Sequence, residues 1–140
     1  MSTPETSRAL TFVLNDPPYE NARSTTALRL IDAALRQGYD VNVFAYEGAA
    51  ALAFARQAPH PNAVHGNDVA AEDHPTTKDW VSALVAQAER LGRKLEWVNC
   101  GLCVDERGVG EAVGGTRRGS PADLWQFVGR STNTLVIPTK

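Results

Sequence analysis

Cys100 and Cys103 are the two cysteines of the chain and stand three positions apart in Cys100-Gly101-Leu102-Cys103. A thiolate, rather than a thiol, is the nucleophile, and its pKa falls beside cations and helix N-termini. The pair follows a segment, Lys94 to Val98, that reads as a strand, and precedes a stretch, Val104 to Val113, that reads as a short helix. That placement offers backbone N–H donors and a positive helix end to an anionic sulfur. Arg107 lies one turn beyond Cys103 and can face the same side. Asp105 and Glu106 work against it, because carboxylates beside a thiolate raise its pKa. Cysteines so close in sequence cannot staple distant parts of the chain, so a structural disulfide explains them poorly.

Three other readings compete. Free cysteines often serve as small buried hydrophobes. Structural zinc needs four ligands; His60, His65 and His74 complete a set with the cysteines only if their loop folds over, and they read better as solvated side chains, so no metal is expected. A thioredoxin-like dithiol opens a long helix after an early strand, whereas here the motif comes late and the helix is short. The chain holds neither GxGxxG nor GxxxxGK[ST], so no standard nucleotide loop is present. Asp16, Asp105 and Glu106 are available as acid or base but read as solvated charges. No cofactor is required.

The elements that must position the cysteines come from hydrophobic period. Ala9 to Leu14 reads as a buried strand ended by Asn15-Asp16-Pro17-Pro18. Ala27, Leu30, Ile31, Ala34 and Leu35 fall at helical spacing within a helix from Ala22 to Gln37, stopped by Gly38. Tyr39 to Tyr46 is a second strand, with Val41, Val43 and Ala45 alternating against Asn42 and Phe44. Glu47 to Gln57 is alanine-rich and reads as a helix. Pro59 to Pro75 carries three prolines and three histidines and is the longest candidate loop. Thr77 or Thr76 can cap a helix that runs to Leu91, with Trp80, Leu84, Val85 and Ala88 on one face. Ser120-Pro121 opens another, to Arg130, and Thr134 to Ile137 is the last strand.

Strands alternating with helices predict an α/β fold: a three-layer sandwich with a mostly parallel sheet flanked by helices. In such sheets ligands bind beyond the carboxyl ends of the strands. The loop after the first strand, with Pro18 and Tyr19, and the segment after the third, with Asn99 and Gly101, both sit at such ends. One mouth can hold them all. The 140 residues suit one domain, 8–140, behind a frayed polar tail, 1–7. A formal charge of −2 gives no basic patch for nucleic acid. No apolar run reaches the ~18 residues of a membrane helix. With no signal-peptide layout at the N-terminus, the expected compartment is the cytoplasm.

The segment Cys100-Gly-Leu-Cys103-Val-Asp-Glu-Arg107-Gly108-Val109 resembles the C-x-x-C-x-x-x-R-G segment of DsrE/TusD-type sulfur relay proteins, most of all their YchN-like branch. Pro18-Tyr19 resembles that family's Pro-Tyr-Gly turn, with Glu20 in place of the glycine. Tyr46-Glu47-Gly48, Ala122-Asp123-Leu124 and the closing strand resemble further parts of it, so the likeness spans about residues 8 to 138. The resemblance implies cytoplasmic homo-oligomers, often trimers or hexamers. It also implies a cysteine that accepts persulfide sulfur from a donor protein and hands it to an acceptor protein. Cys100 falls at that cysteine's position, and Cys103 is the extra cysteine of the YchN-like branch. Cys100, Cys103 and Arg107 are then the reacting group, Pro18, Tyr19, Asn99 and Gly101 its binding surround.

Overall fold

A computed structural model describes residues 8–60 and 75–137. The tail 1–7 and most of the 59–75 stretch, including His65 and His74, lie outside the described residues. Five strands form one sheet in the order β4-β3-β2-β1-β5: β1 is Ala9–Leu14, β2 Asp40–Ala45, β3 Leu95–Cys100, β4 Thr116–Gly119 and β5 Asn133–Ile137. Every pairing is parallel. The carboxyl ends therefore lie along one edge, where β3 delivers Cys100.

On one face, Phe12, Leu14, Val43, Ala45 and Trp97 are buried beneath α1 (Arg23–Arg36) and α2 (Thr77–Leu91). Leu28, Ile31 and Leu35 of α1 and Val81, Leu84 and Ala88 of α2 complete this core. Both helices form as expected, but the buried stripe is shifted from the expected one: Leu28 and Val81 are in the core, while Leu30 is exposed and Trp80 only partly buried. On the other face, α4 (Pro121–Arg130) lays Phe127 against Phe44 and Val98. The polar residues of this face are used as fasteners. Asn42 Oδ1 accepts from Arg130 Nη2 at 2.9 Å, and Thr11 Oγ1 donates to the Phe127 carbonyl at 3.3 Å. Between β3 and β4 stands the short α3 (Gly101–Glu106).

The fold class is as the alternation predicts, but three elements differ. The alanine-rich stretch after β2 forms only a five-residue 3-10 turn, Glu47–Ala51. The next residues pair with residues 111–113: Ala55 N–H donates to the Glu111 carbonyl at 2.8 Å and Val113 N–H to the Ala53 carbonyl at 2.9 Å. The same pairing removes 111–113 from the expected Val104 to Val113 helix, which starts earlier and stops at Glu106. Backbone pairing over long range has overridden local alanine propensity. Finally, Thr116-Arg117-Arg118-Gly119 is a strand. It is short, polar and at the sheet edge, where charged side chains are usual and the apolar alternation that marks a strand is absent.

Candidate functional site

Cys100 is both the last residue of β3 and the N-cap of α3. Cys103 is one turn on. Both are free thiols, and both are nearly enclosed, with 6% and 8% of their surface accessible. They pack with Phe44, Ala50, Val98 and Phe127. Cys103 Sγ accepts a hydrogen bond from the Glu47 backbone N–H at 3.1 Å. Burial pushes the Cys103 thiol up from the ordinary value. The Glu47 N–H opposes this, while the hydrogen bond with Cys100 and the negative charge of Cys100 and Glu47 add to it. Cys103 is thus held as a thiol beside Cys100. At six residues, α3 is too short to act on Cys100 as a sustained helix dipole, so the side chains around the sulfurs matter more than its N-terminus.

Arg107 does not point its charge freely at the sulfurs. Its guanidinium pairs with Glu47 at 2.7 Å and Glu106 at 3.8 Å. It thereby fastens the end of α3 to the turn that bonds Cys103. Glu47 itself has φ of 51°, a left-handed conformation that costs a side-chain-bearing residue about 1–3 kcal/mol. It is retained where its N–H meets sulfur. Gly48 follows because Pro17 lies against it: a Cβ there would stand 2.8 Å from Pro17 Cβ and Cδ. Asn15, Pro17, Glu20, Glu47, Gly48, Ala51, Arg107 and Val109 enclose an open groove of about 710 Å³ at this mouth.

The other sequence-predicted residues are placed as follows. In the loop after β1, it is Pro17 that lines the groove, with Pro18 next to it in the chain. Tyr19, with φ of 71°, turns toward α2: its hydroxyl accepts from the Thr77 N–H at 3.0 Å, and its ring meets His60 edge-on at 4.5 Å. Asn99 is buried and accepts from the Trp97 indole N–H at 3.0 Å. That bond fixes the amide orientation, leaving Nδ2 as a buried donor without a hydrogen-bond partner. Asn99 lines a second cavity, of about 560 Å³, with Asp105, Thr116 and Arg118. Gly101 sits under Arg118, whose guanidinium fills the space a side chain would take. Asp105, read from sequence as a charge opposing the thiolate, is bound by Arg118 through both carboxylate oxygens at 2.9 and 2.6 Å. Arg118 holds its carboxyl below the usual range. Sequence reasoning missed Glu47 and Arg118. Nothing in Thr116-Arg117-Arg118-Gly119 marks it as a neighbour of the cysteines until β4 is paired with β3.

The family model for DsrE/DsrF-like proteins matches residues 8–136. The chain belongs to this family. A solved structure, the YchN protein of E. coli, superposes with a TM-score of 0.71 at 20% identity, covering 92% of this chain and 98% of that one. That likeness shows the shared fold. An uncharacterized protein of Methanopyrus kandleri, MK0008, is 26% identical over 137 residues, 96% of this chain and 98% of the relative. Among the described residues of this DsrE/DsrF-like chain, no helix is long and apolar enough to cross a membrane. None of its described residues form a cluster of three His, Cys, Asp or Glu side chains able to hold a metal.

Proposed function

We propose that this DsrE/DsrF-like protein is a cytoplasmic sulfur carrier in which Cys100 accepts a sulfane sulfur and relays it. The observation that carries the reading is the pair of free, touching thiols at the carboxyl end of β3, with Cys103 held protonated beside Cys100. In the accepting step, the Cys100 thiolate attacks the outer sulfur of a donor persulfide. A new S–S bond forms at Cys100, the donor S–S bond breaks, and the donor leaves as a thiolate. In the relay step, an acceptor thiolate attacks the outer sulfur of the Cys100 persulfide and Cys100 leaves as a thiolate. Where no acceptor is present, Cys103 attacks the inner sulfur instead. Hydrosulfide is expelled, the sulfane sulfur is reduced to sulfide, and the two thiols are oxidised to an internal disulfide. An external thiol must then reduce that disulfide.

Asn99, next to Cys100 in β3, carries a buried Nδ2 donor with no hydrogen-bond partner among the described residues. An unpaired buried donor costs about 1–3 kcal/mol. Pro17, leading the turn to Pro18 and Tyr19, shapes the entrance. Donor and acceptor are proteins that present cysteine persulfide or thiolate. The enclosure of both sulfurs among Phe44, Val98 and Phe127 favours a second reading, in which the pair is only core packing in an oligomeric binding protein.

Intact-mass spectrometry after incubation with inorganic polysulfide separates the two. The sulfur-carrier reading expects a gain of one sulfur atom that persists in Cys103→Ser and disappears in Cys100→Ser. No gain in the folded wild type would leave the core-packing reading. A gain lost with Cys103 instead would reverse the roles of the cysteines.

A further inference from the structure

We propose that Arg118, on the edge strand, is the cation that sets the reactivity of Cys100, and that Asp105 is its moderating counter-charge. The proposal rests on the reading of Cys100 as the reacting sulfur, and names how that sulfur is controlled. The parallel register of β3 and β4 puts Gly119 opposite Cys100 and Arg118 opposite Asn99. From there the Arg118 side chain crosses the start of α3. A Cβ built on Gly101 would stand 2.7 Å from Arg118 Nε, 2.8 Å from Cζ and 2.9 Å from Nη2. The guanidinium therefore lies on the residue directly after Cys100, in space that only glycine leaves open. Asp105, one turn along the same helix, grips it through both oxygens. The six residues of α3 supply the floor and the fastening together.

The other charged and titratable groups around Cys100 are committed elsewhere. On α3, Cys103 is a thiol bonded by the Glu47 N–H, and Arg107 is paired with Glu47 and Glu106. On α4, Asp123 packs against Gly119 and is paired with Arg117 at 2.8 Å. At the end of β2, the Tyr46 hydroxyl accepts from Asn15 Nδ2 at 3.2 Å. Arg118 is left as the cation lying on Gly101, the residue after Cys100. Its fork with Asp105 is over half exposed on both sides, 57% and 60%. Such pairs are weak and exchange readily. A thiolate or persulfide anion on Cys100 then draws on the Arg118 charge in competition with Asp105.

The two partners of this fork make opposite predictions, which a purely structural role does not. The readout is the pH midpoint of Cys100 alkylation by iodoacetamide in the Cys103→Ser protein. Arg118→Gln should raise the midpoint by about half a pH unit, the scale of a nearby exposed charge. Asp105→Asn should lower it by a similar amount, although it breaks the same fork. Gly101→Ala, which displaces the guanidinium without changing any charge, should move it the same way as Arg118→Gln. The Arg118→Gln shift should shrink in 1 M salt, where the Debye length is about 3 Å. Should Arg118→Gln fail to fold, the downward shift in Asp105→Asn carries the test. Midpoints that both rise, or that move only in Arg107→Gln, overturn the proposal. Polysulfide loading of the wild type with a midpoint indifferent to Arg118 and Asp105 defeats it alone. A Cys100 that reacts only after unfolding defeats it together with the sulfur-carrier reading.

Discussion

Cys100 and Cys103 share a motif, a packed cluster and a low exposure, yet their surroundings differ in chemistry. Cys103 faces inward to Glu47, and burial holds it as a thiol. Attack needs the thiolate, on a donor persulfide or on the inner sulfur of a Cys100 persulfide alike, so Cys103 has to lose this proton before it can resolve one. In the Cys100→Ser protein, Cys103 alkylation should accordingly show a midpoint above the ~8.5 of a free cysteine. A stability consequence has a definite sign. Because the folded protein holds the Cys103 proton more tightly than the unfolded chain, the neutral thiol's contribution is fully present below the unfolded thiol pKa. It is lost as pH rises through the raised folded value. The stability difference between wild type and Cys103→Ala should therefore shrink from about pH 8.5 upward, measured by urea denaturation at stepped pH. A difference constant to pH 10.5 would show that Cys103 has an ordinary pKa.

At the scale of elements, the mouth is assembled by the contact of two turns, one after β1 and one after β2. Pro17 lies on Gly48, and Ser24 Oγ of α1 donates to the Pro17 carbonyl at 3.1 Å. The 3-10 turn presents the Glu47 N–H to Cys103, and the Arg107 ion pair closes the ring by tying α3 back to Glu47. Replacing Gly48 by alanine puts a methyl group 2.8 Å from Pro17. That overlap should cost about 1–3 kcal/mol, as overpacking does, and should push the turn off Cys103. The expected outcome is a lower urea midpoint together with faster alkylation of Cys103 in the folded state. A loss of stability without faster alkylation would show that the Glu47 turn holds its place independently of Pro17.

Across the whole molecule, the two faces of the sheet are covered unequally. Among the described residues, two long helices bury one face, whereas the shorter α4, with α3 and the 3-10 turn, covers the other. Trp125 and Val128 of α4, Val136 of β5 and Leu102 of α3 remain exposed, Trp125 at 79%. Apolar residues of this size left in water are a mark of protein contact, and closed symmetric assembly is the common outcome for soluble chains. We expect a homo-oligomer, a trimer or hexamer, seated on this surface. Light scattering at micromolar concentration should return a multiple of the 15.1 kDa chain, and Trp125→Glu should reduce it toward the monomer. A wild-type mass of one chain would remove the assembly, and an oligomer untouched by Trp125→Glu would move it to another face.

Much of this was legible in the chain itself. The alternation of Val41, Val43 and Ala45 against Asn42 and Phe44, and the helical spacing of Ala27, Leu30, Ile31, Ala34 and Leu35, depend on which face of a local element meets apolar surroundings, though Leu30 itself stays exposed. Such patterns sufficed for the α/β class, for the order of its long elements, and for a cysteine pair at the carboxyl end of β3, though the strand runs on to include Cys100. Local pattern could not reach what depends on register and on remote partners. Strand β4 exists because Arg117 and its neighbours find the edge of β3, not because their side chains favour a strand. The residues around Ala53 leave the helix that alanine prefers because residues 111–113 complete their backbone hydrogen bonds. Arg107 turns to Glu47, sixty positions away, and Arg118 arrives at Gly101 from across a strand pairing. The sequence by itself determined the long elements and the place of the cysteine pair; the tertiary structure decided the short elements around the pair and which charges stand beside it. Charge–charge contacts act over a few ångströms in space whatever their separation along the chain.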